Sequence, residues 1–400
     1  MGGIVLVRKI SLLAVAVTLG LLTSADAATS WRVARAPSVA GQTYGALDCV
    51  NASRCWVTLA AHGHPGVAAS VDGGLTWRTE SLPAPPGISV LSSLSCSSET
   101  NCVAVGESGN PETGSVGFIV DTHNGGATWR RAQPPTPFAT PTRGVQLFSV
   151  SCSAGEHCVA LGTGRLPPVT SGPTSCGPGC TMVPPPTNPN ATGLVAASSV
   201  NGGATWTASV VSEPTLWQPN ALTCEANSCH AVGFDFSHCL NNPHPCGATG
   251  AALTLGPGST EWSSDPMPPG FFQIFGVSCV TFATCVAVGS SADSTLGHGV
   301  VARTTDGGRQ WVMLTPPPTI ALLSVSCASA LHCVAAGAAG SASRLYGTIL
   351  ATSDGGRTWA SEALPAGIGQ IDDVSCAGGH CVATAAVGFA SSMRGLIVVN

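Results

Sequence analysis

The sequence predicts an all-β protein built from seven like units that close on themselves. Three observations carry this: a composition rich in glycine and proline and poor in charge, seven cysteine pairs with four or five residues between their members, and a turn motif ending in tryptophan that recurs in phase with them. Of 400 residues, 44% are hydrophobic and only 9% charged, against about 25% charged in a usual soluble domain. Gly 49 and Pro 30 together make about a fifth of the chain, which is too dense for sustained helices. Formal net charge is −5, so the basic footprint that nucleic-acid binding requires is missing. The hydrophobic content excludes a disordered tail.

The N-terminus reads as a targeting segment. Arg8 and Lys9 precede an apolar run over 10–22, followed by the small-x-small site Ala25-Asp26-Ala27. A membrane span needs about 20 apolar residues, so the run is read as a signal peptide, residues 1–27, rather than an anchor. The expectation is a secreted protein outside the cell, with no transmembrane segment after cleavage. Arginine in place of lysine suggests a GC-rich, bacterial genome.

Export agrees with the 18 cysteines, an even number suited to an oxidising compartment. Fourteen form the pairs Cys49/Cys55, Cys96/Cys102, Cys152/Cys158, Cys224/Cys229, Cys279/Cys285, Cys327/Cys333 and Cys376/Cys381. Most lie in near-identical text, such as SVSCSAGEHCVALG (149–162) and SVSCASALHCVAAG (324–337). Alternation of valine with small residues on both sides of a short gap reads as a β-hairpin. A disulfide between facing strand positions meets the usual Cα spacing of about 5.5 Å. Metal binding is the weaker alternative, because no second pair recurs at a partner position.

The second motif reads SVDGGLTW (70–77), THNGGATW (122–129), SVNGGATW (199–206), TTDGGRQW (304–311) and TSDGGRTW (352–359), with a degenerate copy TLGPGSTEW (254–262). Asp or Asn before Gly-Gly is turn chemistry, since glycine supplies positive φ. These lines resemble the Asp-box repeat of β-propellers, found in sialidases, sortilin-type receptors and photosystem II assembly factors. The unit order is most similar to the last group. The resemblance implies turn-forming roles for Asp72, Asn124, Asn201, Asp306 and Asp354, and blade-sealing roles for Trp77, Trp129, Trp206, Trp262, Trp311 and Trp359.

Seven cysteine pairs against six box tryptophans leave one blade short. The segment ATSWRVARAP (28–37) matches the text after a box, so Trp31 is read as the seventh tryptophan and residues 29–36 as the missing outer strand. The expected architecture is one seven-bladed β-propeller, residues 28–400, of four-stranded antiparallel blades with one hairpin disulfide each. Closure of this kind protects sheet edges. Cysteine pairs recur every 47–56 residues, apart from one interval of 72 that contains an insertion.

Strand alternation puts the hairpin turns and box turns on one face and the remaining loops on the other. Two long insertions, 163–193 and 234–249, belong to that second, loop face. They hold Cys176, Cys180, Cys239 and Cys246, for which three pairings are open, pairing within each loop being the simplest.

Long loops on a rigid scaffold commonly carry function, so binding is expected on this face. Trp217, Phe272, Phe271, Phe234 and Phe236 are candidates for stacking on a sugar or anchoring a protein, with Arg143 and Arg165 nearby. The same aromatics also suit simple filling beneath the insertions. A sialidase-like site needs an arginine cluster, a Tyr-Glu pair and an aspartic acid. Here only Tyr44 and Tyr346 exist, Arg344 and Arg394 are the other loop-face arginines, and the carboxylate pairs are Glu107/Glu112 and Asp372/Asp373. His238, Cys239, His244 and Cys246 have zinc-like spacing, but export favours a disulfide. His157, His332 and His380 each precede a hairpin cysteine and read as turn residues. The expectation is a monomeric, non-catalytic binding or scaffold propeller with a protein or cell-surface glycan ligand, no catalytic residue, no metal and no cofactor. The alternative is a divergent sialidase-like glycoside hydrolase.

Overall fold

The computed structural model describes residues 31–36, 42–61, 64–83, 88–110, 114–136, 138, 146–165, 192–211, 217–235, 249–291, 297–341, 344–387 and 394–400. Counts and absences below refer to these residues. Residues 1–30 and most of both insertions lie outside them, as do Phe236, Arg143, Cys176, Cys180, Cys239 and Cys246.

Seven four-stranded antiparallel sheets form a ring of blades. In blade 1 the strands Gln42–Cys49, Cys55–Ala61, His64–Ser70 and Arg78–Glu80 follow one another from the channel outward. Blades 2 to 6 repeat this order, with inner strands Ile88–Cys96, Gln146–Ser153, Trp217–Glu225, Gln273–Thr281 and Ala321–Cys327. Blade 7 is composite: Ile371–Ala377, His380–Val387 and Arg394–Val399 come from the C-terminus, and the outer strand Arg32–Val33 from the N-terminus. Its register is Arg32↔Val399 and Val33↔Val398. The predicted closure is therefore present, with a paired strand shorter than 29–36. No helix is present, so none is long and apolar enough to cross a membrane.

All seven hairpin disulfides are formed: Cys49–Cys55, Cys96–Cys102, Cys152–Cys158, Cys224–Cys229, Cys279–Cys285, Cys327–Cys333 and Cys376–Cys381. Their geometry corrects the sequence-based expectation of about 5.5 Å, because every pair is narrower, with Cα–Cα distances of 3.9–4.1 Å. The two cysteines of each bridge are direct register partners, as in Cys49↔Cys55 and Cys96↔Cys102. The bonded pair sits one step outward, where Val50 N donates to Arg54 O. The cysteines therefore occupy the narrow, non-hydrogen-bonded positions of the ladder.

The bridges are also sunk into the blades rather than standing on the turn face. The second cysteine of each, Cys55, Cys102, Cys158, Cys229, Cys285, Cys333 or Cys381, is buried and belongs to an apolar cluster. It opens the second strand, which is covered by neighbouring strands on both sides. No thiol is left there to ligate a metal or react, so these cysteines serve packing and covalent closure alone.

The box turns hold themselves together. The Ser70 hydroxyl donates to Asp72 Oδ1 (2.8 Å), while Thr76 N and Thr76 Oγ1 donate to the same carboxylate at 2.9 and 2.6 Å. Asp354 repeats the pattern with Thr352 and Thr358, and Asn124 and Asn201 repeat its backbone part with Thr128 and Thr205. The two glycines of each box lie at φ 63–92°, as at Gly73 and Gly74, a region open to glycine. Blade 4 departs from this, because its box lacks the acceptor and Thr254 turns instead to Asp265 and His230.

The core is a ring of seven apolar clusters, most of them between adjacent blades and each holding a box tryptophan. Trp31, 3% exposed, packs with Ile349, Ile368 and Ile371 between blades 6 and 7.

Candidate functional site: the central channel

Every inner strand carries a register shift at the residue four before its first cysteine, and in blade 1 the shift takes in the next residue as well. The shifts fall between Tyr44/Leu47, Leu91/Ser93, Leu147/Ser149, Pro219/Ala221, Ile274/Gly276, Leu322/Ser324 and Ile371/Asp373. A β-bulge leaves one residue unpaired and re-aims its side chain. The residues left out include Ser92, Phe148, Asn220, Phe275, Leu323 and Asp372, with Gly45 and Ala46 in blade 1. All of them line one cavity of about 420 Å³, bounded by the inner strands of all seven blades. This is the central channel.

The bulges also explain a glycine in the second strand. In blades 2 to 6 the residue four after the second cysteine is Gly106, Gly162, Gly233, Gly289 or Gly337, and a Cβ at any of them would overlap a backbone carbonyl of the bulged strand, such as Gln273 O beside Gly289. Only glycine lets the two backbones approach this closely.

A belt of hydrogen bonds joins the blades around the channel. In six of the seven blades the N–H of the first hairpin cysteine reaches the preceding blade. Cys152 N donates to Ser95 Oγ (3.0 Å), Cys224 N to Ser151 Oγ (2.9 Å), Cys327 N to Ser278 Oγ (3.0 Å), Cys376 N to Ser326 Oγ (2.9 Å) and Cys49 N to Ser375 Oγ (2.9 Å). A second tier lies two residues earlier, where Val150 N meets Ser93 Oγ and Val374 N meets Ser324 Oγ.

Two aspartates replace serine in this belt. Asp48 Oδ2 accepts from Cys96 N at 2.7 Å, and Asp373 Oδ2 accepts from Leu47 N at 2.8 Å while its Oδ1 takes the Ser324 hydroxyl. Burial pushes both carboxyls up to about 6 against these stabilising donors, and the Asp373 charge raises Asp48 further. Asp372, also raised by burial, accepts from Gln370. These three are the ionisable residues of the channel wall, and no cation lines it.

Of the site residues that the sequence predicts, Phe271 is buried between blades 4 and 5 with Ile274 and Val277, and Phe234 is buried in the second strand of blade 4. Phe272 is half-buried, its N–H donating to Ser290 O. Trp217 opens the inner strand of blade 4 opposite Asp235, and Arg165 ends the second strand of blade 3 opposite Thr192. Tyr44 is 5% exposed in the core, where burial pushes its hydroxyl up to about 12, and Tyr346 stands 51% exposed on the loop face. The channel side chains Phe148 and Phe275 were not singled out by sequence reasoning.

One group of side chains has metal-like spacing. His230 lies with Cys279 and Cys285, ligand atoms within 4.8 Å. Those sulfurs are bonded to each other, and the His230 ring nitrogens lie 2.9 Å from Phe282 O and 2.9 Å from Thr254 Oγ1. The group is a seam between blades 4 and 5 rather than a metal centre.

Fold and channel together define a disulfide-stapled seven-bladed propeller. No protein-family model matches the chain, and no curated relative is found for it. Solved structures of similar fold include YCF48 bound to a D1 peptide, at 14% identity over 92% of this chain and 96% of that one, TM-score 0.56. An ulvan lyase bound to a glucuronate–sulfated rhamnose unit matches at 9% identity over 91% and 94%, TM-score 0.55. A Hadza microbial sialidase matches at 13% identity over 88% and 74%, TM-score 0.51. These likenesses are of fold, shared by a photosystem II assembly factor and by glycan-cleaving enzymes alike.

Proposed function

We propose that this chain is an extracytosolic, non-catalytic binding propeller that takes a protein or cell-surface glycan ligand through its loop face and the channel mouth. The observation that carries this is the channel wall: serine hydroxyls, half-buried Phe148 and Phe275, three carboxylates, and no arginine to receive an acidic sugar. Tyr44 is unsuited to attack because it is sealed in the core with its hydroxyl held protonated. Seven hairpin disulfides suit an oxidising compartment, and the leader sequence agrees with export. A peptide is the ligand in the YCF48 structure, which makes a protein partner the nearer precedent.

The test is a thermal-shift panel of sialosides, cell-wall glycans, neutral polysaccharides and peptides. Ligand at about 100 times its Kd stabilises the native state by about 2.7 kcal/mol. A shift without product formation, lost in Trp217→Ala, supports the proposal. Release of a cleaved sugar would replace it with the hydrolase reading.

A further inference from the structure

The residues at the seven bulges vary in chemistry from blade to blade: Gly45 with Ala46, Ser92, Phe148, Asn220, Phe275, Leu323 and Asp372. The variation is ordered around the ring. Blades 3, 5 and 6 contribute the apolar side chains Phe148, Phe275 and Leu323, with Asn220 of blade 4 between them and its amide donating to Ile274 O, while blades 7 and 1 contribute Asp372, Asp373 and Asp48. The cavity therefore has an apolar arc on one side and an acidic arc on the other.

We propose that the channel is a receptor for a single cationic side chain, lysine or arginine, presented by a peptide entering from the loop face. This deepens the binding reading above and rests on it. Lysine and arginine carry an apolar stem and a charged head, and the two arcs offer a partner to each. The stem lies along Leu323 and the phenylalanines, whose ring faces also attract a cation, and the head meets the carboxylates. The three acidic groups have no cation beside them in the wall, so an incoming one supplies the missing complement. A volume of about 420 Å³ is at the small end of ligand sites, enough for a side chain and its hydration.

A bare metal ion fits worse. Both Asp373 oxygens and Asp48 Oδ2 already accept from N–H or O–H donors, so a hard cation, which takes about six or more oxygen ligands with waters included, would compete with the bonds that join the blades. It would also leave the apolar arc without a role. Asp372 is the carboxylate least committed to holding blades together, since its bond runs only to nearby Gln370. It is the expected first contact for the head.

The probe is the peptide acetyl-Gly-Ala-Lys-Ala-Gly-amide, titrated by calorimetry or chemical-shift perturbation. Its counterpart with norleucine keeps the stem and drops the charge. The lysine peptide is expected to bind at least tenfold tighter than the norleucine peptide, and more weakly as salt is raised. Asp372→Asn should remove most of that tenfold preference and leave the melting temperature near the parent value. Phe275→Ala should weaken both peptides, and Glu99→Gln, on the opposite face, should change neither. Equal binding of the two peptides, no binding at millimolar concentration, or indifference to Asp372→Asn would overturn the proposal. If the lysine peptide fails while the broader panel still yields a ligand, the binding reading stands and only the cationic receptor falls.

Discussion

The indole N–H of Trp31 donates to the Glu362 carboxylate at 2.5 Å, joining blade 7 to blade 6 across 331 residues of sequence. The same bond recurs wherever the residue three places after a box tryptophan is acidic. Trp129 donates to Glu80 (2.6 Å) and Trp311 faces Asp265 (3.4 Å). Where that preceding residue is Ala34, Ala132 or Leu314, the next tryptophan turns to its own box instead. Trp77, Trp206 and Trp359 then donate to Gly74 O, Gly203 O and Gly356 O. Each of these six indoles keeps a partner either way, as a buried donor usually does.

The ring is therefore expected to fail at Trp31 as it does at any other blade. Trp31→Ala removes a buried aromatic and should cost about 3–5 kcal/mol, similar to Trp359→Ala. Glu362→Ala leaves the indole donor without its acceptor and should cost about 1–3 kcal/mol. Denaturant unfolding measures both. A Trp31→Ala protein as stable as its parent would mean that the N-terminal strand does not close the ring.

The Asp48–Asp373 pair sets a pH dependence. Both carboxyls titrate near 6 in the folded chain, against an ordinary value of 3.8. Between about pH 6 and pH 4 the folded state holds more protons than the unfolded one, so this contribution to stability rises as pH falls through that window. Glu80 and Asp372, also raised, act in the same sense. The box carboxylates act oppositely. Hydrogen bonds from Thr358 hold Asp354 down to about 2, and in Asp72 the upward push of desolvation is outweighed by the bonds from Thr76. Their loss begins only below about pH 4.

Asp48→Ser isolates the pair. Serine is the belt residue at this position in blades 2, 3, 5, 6 and 7, so the latch to Cys96 N survives while the buried charge goes. The variant should be more stable than the parent at pH 7, by about 1–2 kcal/mol, and the advantage should shrink towards pH 5. Melting temperatures across pH 4–8 decide it. A variant less stable at pH 7 would show that the charge strengthens the latch more than its burial weakens it.

Much of this architecture is legible in the residues, because each blade writes its own hairpin, box and tryptophan within about fifty positions. Even the closure by Trp31 is visible, since its text matches the stretch after a box. The channel wall is not. Counting back from the cysteines along a regular strand points to Phe272 and Trp217, whereas the bulge brings the position four before the cysteine, Phe148 and Phe275, to the cavity. An inserted residue has no local signature other than its consequence, the glycine facing it across the hairpin. The serine belt is hidden for another reason. Its bonds link residues roughly fifty or more apart, and serine beside cysteine reads equally well as an exposed strand position.

That facing glycine makes the bulge testable. Gly289→Ala would drive a methyl group into Gln273 O and the backbone of Ile274, neither of which can rotate away. Overpacking of this kind costs about 1–3 kcal/mol. Gly256→Ala, with nothing within 4 Å of the added Cβ, is the control and should be close to neutral. If the two variants melt together, the close approach of the bulged strand is absent in solution.

The hairpin disulfides should all be present in the protein recovered from an oxidising compartment. Alkylation under denaturing, non-reducing conditions should add no mass, and two or more modified cysteines would overturn the framework. Each hairpin loop is short, so on the loop-entropy account one bridge contributes only about 2.4 kcal/mol. Replacing Cys327 and Cys333 together by alanine should therefore lower stability by about that amount and leave the ring folded. Cys327 N would still donate to Ser278 Oγ, because the latch uses the backbone rather than the sulfur. Full reduction should be far more damaging than this single loss, since seven small contributions act around one closed ring, and circular dichroism with and without a phosphine reductant measures the difference.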